Sequence, residues 1–169
     1  MTPGPAAALR ALRPGDADGM LEVLQACERS WAEFAPAGWT PPPAGAAHWV
    51  RELEHSGDWT RVAEDGARIV AFASWGEARD AAFGPAIRGV ANLNALFVHP
   101  RWQRRGIAAR LLADAEEAMR AAGYAWGRLF TPQGAPAERF YAERGWIPDG
   151  RLAWHHILGF AVIGYAREL

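Results

Sequence analysis

The chain has no lysine: arginine fills all 18 of its Lys+Arg positions among 169 residues. With 18 Gly and 12 Pro, this marks GC-rich coding and predicts a bacterial source. Cys27 is the single cysteine, so no intrachain disulfide forms. No zinc-type spacing is present, and no metal is expected. A chain of this kind suits a reducing cytoplasm. No apolar run is long enough to cross a bilayer. Met1–Ala8 lacks a basic stretch ahead of an apolar one and does not read as a secretory signal. The net charge of −1 gives no general pull toward nucleic acid or anionic membrane, and neither is expected as a partner. No Gly-x-Gly-x-x-Gly follows a strand-like run, which disfavours a dinucleotide oxidoreductase. Fixed-period repeats and acidic runs are also missing.

What is present is apolar material. Half of the residues are hydrophobic, enough for a core without staples, and the length fits one domain over residues 1–169. Ala8–Leu12 reads as a weak strand. Pro14-Gly15 breaks it, and Asp16 is placed to cap a helix reaching about Trp31, with Met20, Leu21, Leu24 and Cys27 on its apolar face. Residues 35–47, with Pro41-Pro42-Pro43, read as loop, and a short helix is predicted over Ala46–His55. Trp59–Glu64 and Arg68–Trp75 form a hairpin across Asp65-Gly66. Residues 76–89, with three Gly and one Pro, read as loop, and Val90–Val98 as a strand stopped by Pro100.

The clearest element is a helix from Gly106 or Ile107 to Ala122. Ile107, Ala108, Leu111, Leu112, Ala115, Met119 and Ala122 share one face. Glu116 and Arg120 form an i,i+4 pair, and Gly123 supplies the stop. Trp126–Thr131 is then a strand, and a helix runs from Pro136 to Arg144 before Gly145. Two strands follow near Gly150–His155 and Phe160–Arg167. This order predicts an α/β fold with a mixed sheet.

The chemistry concentrates at Leu96-Phe97-Val98-His99-Pro100-Arg101-Trp102-Gln103-Arg104-Arg105-Gly106-Ile107-Ala108. A strand ends, a turn follows, and a helix opens at a glycine. The first helical N–H groups lack intrahelical acceptors and face the positive end of the helix dipole. A pyrophosphate placed there would accept several of them. Gly106 leaves room for it, and Arg101, Arg104, Arg105 and Arg110 offer further positive charge.

This segment resembles the Q/R-x-x-G-x-G/A loop of the GNAT N-acetyltransferase superfamily, with a preceding strand of the family's type in Leu93…Leu96-Phe97-Val98-His99-Pro100. Ala137-Glu138-Arg139-Phe140-Tyr141-Ala142-Glu143-Arg144-Gly145-Trp146 resembles a second family motif at the family's spacing. The resemblance implies a mixed, mostly antiparallel central sheet flanked by helices, acetyl-CoA as cofactor and donor, and direct acetyl transfer to an amine. It implies backbone N–H groups of Arg104, Arg105, Gly106, Ile107 and Ala108 on the pyrophosphate, with Gln103 opening the loop. It places the pantetheine arm along Leu96, Phe97 and Val98, with the Leu96 N–H on the thioester oxygen. The family's pantetheine-binding asparagine is matched by Gly134, with Gln133 beside it.

Direct transfer needs a neutral amine, a donor for the thioester oxygen and a proton for the leaving thiolate. The resemblance assigns the proton to Tyr141, which is expected to face the cleft while Phe140 packs. The family's glutamate base is matched by Asn92, which cannot take a proton. Asn94 lies on the same strand face. Deprotonation is left to water or to His155, His156, Glu28 or Glu33. One of the two histidines is expected to reach the cleft.

Trp31, Phe34 and Trp39 gather near the first helix end, and Trp154 lies in the tail. The family has these two regions face each other across the acceptor cleft. Aromatic walls suit a small aliphatic or cationic amine. Trp31, Phe34, Asn94, His155 and His156 are therefore the acceptor-binding candidates. The reading is an N-acetyltransferase acting on a primary amine of a small molecule, as a monomer or homodimer. Acetylation of a protein N-terminus or lysine, or non-catalytic acyl-CoA sensing on the same fold, are the alternatives.

Overall fold

The structure, a computed structural model, describes residues 7–42, 47–81 and 84–169. The stretch before Ala7, Pro43 of the triple proline and the expected helix start at Ala46 lie outside the described residues.

In chain order the elements are β1 (Ala8–Ala11), α1 (Ala17–Ser30), α2 (Ala47–Ser56), β2 (Trp59–Asp65), β3 (Arg68–Arg79), β4 (Ala86–Val98), α3 (Ile107–Ala121), β5 (Trp126–Pro132), α4 (Pro136–Ala142), β6 (Ile147–His155) and β7 (Phe160–Glu168). The strands form one sheet ordered β1-β2-β3-β4-β5-β7-β6. Only β4 and β5 run parallel, joined by the α3 crossover. This is the expected mixed, mostly antiparallel α/β architecture.

Alternation along β3, reset at the extra residue Val70, sorts the core. Phe72 packs with Met20, Val23, Leu24 and Val50 under α1 and α2. Val70, Ala71, Ala73 and Val98 pack with Ile107 and Leu111 of α3, and Leu112, Met119, Leu129 and Trp146 continue that side. Each such large side chain contributes about 1.5–3 kcal/mol on burial. Trp146 donates to Glu116 (2.9 Å), which Arg167 also bonds (2.9 Å). The i,i+4 partner Arg120 stands farther off, at 3.6 Å.

Two expectations are corrected. The loop predicted over residues 76–89 is mostly strand, because Gly76, Glu77 and Arg79 pair with Asn92, Ala91 and Ala86. Cross-strand pairing outweighs the breaker tendency of isolated glycines. Asp16 precedes α1 but its side chain does not cap it. Its carboxylate takes the Arg13 N–H and the Arg10 guanidinium, and Glu54 of α2 accepts the Gly15 and Ala17 N–H groups instead.

Candidate active site

The site begins where β4 and β5 part. They pair from Val90–Trp126 to Leu93–Leu129 and no further, although β4 runs on to Val98 and β5 to Pro132. The cause lies in β4 itself. Ser74 pairs with Ala95 and Trp75 with Leu93, so Asn94 is an extra residue. Such a bulge bends and twists its strand. It also resets side-chain alternation: Ala91 and Leu93 join the α3-side core, yet Ala95 joins the α1-side core.

Beyond the bulge, the His99 N–H donates to Val70 O (2.9 Å). By the two-residue pleat, Phe97 then also faces β3, and the polar groups of Leu96 and Val98 point into the wedge between β4 and β5. Leu96 has no strand partner on that side. The Val98 carbonyl accepts from Gln103 Nε2 (3.0 Å) and from Cys27 Sγ (3.2 Å). Gln103 therefore ties the loop to the strand end through its side chain. Burial pushes the Cys27 thiol up to about 12.

A tight turn follows. His99 Nδ1 accepts the Arg101 N–H (3.2 Å), and Trp102 N–H returns to His99 O (2.8 Å). Arg104 (φ 60°) and Gly106 (φ 78°) adopt left-handed backbone, the alternation that makes consecutive N–H groups converge into an anion-binding nest. The first bond of α3 runs from Arg110 N to Gly106 O (3.1 Å). Among the described residues, the N–H groups of Arg104, Arg105, Gly106, Ile107, Ala108 and Ala109 have no acceptor. A Cβ on Gly106 would meet nothing within 4 Å, so the cradle is open and a side chain there would stand in it. Left-handed backbone costs a non-glycine residue about 1–2 kcal/mol, and Arg104 bears that cost at this loop. These features fit a diphosphate. Arg110 is spent elsewhere, on Ala7 O (2.8 Å), which leaves Arg101, Arg104 and Arg105 exposed around the loop.

Across the wedge stands α4. Both aromatics pack: Phe140, as expected, is half-buried beneath the Arg144 guanidinium, 3.9 Å from the ring centre, and Tyr141, expected to face the cleft, is only 7% exposed. Tyr141 packs against Phe140, Trp146 and Tyr165 in the cluster that also holds Leu93 and Leu96. Helix periodicity could not tell how deeply each of two adjacent residues is enclosed; the packing of α4 against the sheet decided it. The Tyr141 hydroxyl makes no hydrogen bond among the described residues, and burial keeps it protonated well above the ordinary phenol range. It is a donor without an acceptor. Gln133 donates its backbone N–H to Ala161 O (3.0 Å), and Gly134 N–H goes to Glu138 (2.6 Å).

The proton-accepting candidates separate. Asn92 Nδ2 donates to Asn94 Oδ1 (2.6 Å), which confirms their shared face. His155 Nδ1 accepts the Leu158 N–H (3.2 Å) in the β6–β7 turn, and burial lowers its basicity. His156 is exposed in that turn. Neither histidine is brought to Asn92 or Tyr141 by any contact among the described residues. Glu28 is buried in α1, and burial raises its carboxyl. Glu33 is exposed. Asp58, which the sequence reading passed over, stands before β2 in the row of Gly76 and Asn92. The residue is exposed, and partial desolvation raises its carboxyl against a lowering contact with Ser56. The signal that finds it is the register β2–β3–β4, which no local pattern reveals.

On the α1 side of the wedge, Trp31 meets Trp39, Phe97 and Phe160 at ring-centre distances of 6.5, 6.2 and 6.1 Å. Trp39 Nε1 donates to Leu158 O (2.5 Å), so the loop after α1 touches the β6–β7 turn. A cavity of about 190 Å³ adjoins them, lined by Phe34, Ala35, Pro36, Gln133, Phe160 and Ala161. Phe97 and Phe160 were not foreseen in this wall. Trp154 is not in it: it lies on β6, 59% exposed.

No helix among the described residues is long and apolar enough to cross a membrane, and among them no cluster suits a metal ion. No curated protein matches the chain. Its fold is similar to that of a GNAT-family protein from Desulfovibrio desulfuricans (25% identity, TM-score 0.73, covering 96% of this chain and 99% of that one). It is also similar to ribosomal-protein-alanine N-acetyltransferase from Brucella melitensis (20%, 0.70, 96% and 99%). A third likeness is to the paia N-acetyltransferase from Thermoplasma acidophilum, solved in complex with coenzyme A (16%, 0.64, 97% and 99%). The model of the acetyltransferase (GNAT) family matches residues 24–146, the span that holds the bulged strand, the open N–H cradle and the tyrosine helix. The chain belongs to the GNAT acetyltransferase family, whose acyl donor is acetyl-CoA.

Proposed function

We propose that residues 1–169 work as one domain that moves an acetyl group from acetyl-CoA to a primary amine of a small molecule. The observation that carries this reading is an open N–H cradle together with a half-open cavity lined by Phe34 and Phe160 beside the Trp31–Trp39 pair. The backbone N–H groups of Arg104 to Ala108 hold the donor's diphosphate. The Leu96 polar groups and the Val98 N–H, which face the wedge, align its amide arm as an added strand would, while the Val98 carbonyl stays on Gln103 and Cys27. The Leu96 N–H polarises the thioester oxygen as charge develops.

Tyr141 then gives its proton to the departing thiolate. A buried, unbonded phenol held neutral is suited to this, since it has no competing acceptor to release it from. Trp31 and Phe34 flank the acceptor. The bond from Trp39 to Leu158 bridges the mouth, which favours a compact amine over an extended peptide.

The test is release of free CoA from acetyl-CoA with tyramine, phenethylamine, putrescine, spermidine, lysine and an alanine-initiated peptide. Cys27 is buried with its thiol raised, so a thiol dye reads CoA without protein background. Turnover with one or more small amines and not the peptide is the expected result. Turnover with the peptide alone would move the reading to protein N-termini.

A further inference from the structure

The family's base position holds Asn92, yet the row that contains it carries a carboxylate. Trp59 pairs with Trp75 and Gly76 with Asn92. Trp59 and Trp75 pack on the α3 side, so Asp58, Gly76 and Asn92 turn to the other face, where α1 and the acceptor wall lie. Gly76 is the reason Asp58 reaches across. A Cβ there would lie 3.0 Å from Asp58 Oδ1 and 3.5 Å from Asn94 Nδ2. The absent side chain thus opens a gap with the Asp58 carboxylate on one side and the Asn94 amide on the other. Asn94 Oδ1 is taken by Asn92, and Asn94 Nδ2 has no acceptor among the described residues. Both side chains are exposed to solvent, so water reaches the space over Gly76 that they border.

We propose that Asp58 is the proton acceptor of the transfer, working through a water held between its carboxylate and Asn94 Nδ2. This rests on the amine-acetylation reading above. The acceptor ammonium passes one proton through that water to Asp58, which later returns it to solvent. The neutral nitrogen attacks the thioester carbon, so a C–N bond forms and the C–S bond breaks. The thiolate takes the Tyr141 proton, and the second nitrogen proton restores the phenol by way of solvent. The products are the acetamide, CoA and one proton released. Near Asp58 from the neighbouring elements are the Ser56 hydroxyl of α2 and Asn94 of β4, while Glu77 and Tyr124 line a cavity of about 380 Å³ that adjoins Asp58 on the α3 side. Glu77 is itself paired with Arg79 (3.3 Å). Among the described residues no cation pairs with the Asp58 carboxylate, and desolvation raises its pKa above the ordinary carboxylate value.

The experiment measures CoA release with the same five small amines as a function of pH, for wild type, Asp58→Asn, Asp58→Glu, Gly76→Ala and Glu28→Gln, alongside acetyl-CoA affinity by calorimetry. Asp58→Asn is expected to lower kcat at pH 7 about 100-fold and to remove the acid-side limb of the pH profile, with donor affinity unchanged. Asp58→Glu should keep the limb. Gly76→Ala, which crowds the carboxylate aside, should lower kcat in the same direction. Retention of the rate and the limb in Asp58→Asn overturns the proposal and leaves amine acetylation standing. Loss of the limb in Glu28→Gln instead moves the base to α1 and overturns it equally. No turnover by wild type with any amine sinks the acetylation reading and this proposal together.

Discussion

The two ends of the wedge are built by different means. At the donor end, the polar groups are backbone N–H groups of six consecutive residues, aimed by two left-handed residues and the start of α3. At the acceptor end, side chains from α1, the loop after it, β4, β7 and the approach to β2 meet only in space. A backbone site tolerates change in nearly every side chain but the glycine. A side-chain site is defined by those side chains and can change its acceptor while its donor stays the same.

That contrast is breakable. The largest effect is expected at the donor end. Gly106→Glu places a carboxylate in the N–H cradle and forces a side chain onto left-handed backbone, and should weaken CoA binding about a thousandfold. Near-normal affinity in a calorimetric titration would falsify the cradle. Next comes the residue between the two ends. Tyr141→Phe should lower kcat about 100-fold while acetyl-CoA affinity holds, because only the proton is removed. Unchanged turnover reassigns the acid.

At the acceptor end, Phe34→Ala should raise the amine KM about tenfold, the cost of one lost aromatic contact, with donor affinity untouched. A matching loss of donor affinity would mean that the two ends are not separable. The smallest effect belongs to Asn92→Ala. It removes one hydrogen bond to Asn94 and should lower kcat about twofold to fivefold. Complete inactivity would place this amide in the reaction itself.

Legibility followed the same divide. The loop from Gln103 to Ala108 was readable because a strand, a turn and a helix entrance are contiguous in sequence. The α3 helix was readable from its apolar period. The enclosure of Tyr141 beside Phe140 was not, since neighbours on a helix differ only in where the helix is set down. The extension of β3 and β4 through residues 76–79 and 86–89 was hidden because glycine marks loops locally, whereas cross-strand partners hold it extended. The bulge at Asn94 was hidden too: it is a mismatch of register between two strands, and neither strand contains it alone.

The sequence by itself determined the order of helices and strands, the open helix entrance at Gly106 and the family to which the chain belongs, because these depend on residues close along the chain. Only the tertiary structure decided that β4 leaves β5 after Leu93, that Tyr141 is enclosed, and that Asp58 looks over Gly76 toward Asn94. Those outcomes are set by strand register and side-chain packing across the sheet, and register is an agreement between distant segments that local propensity does not encode.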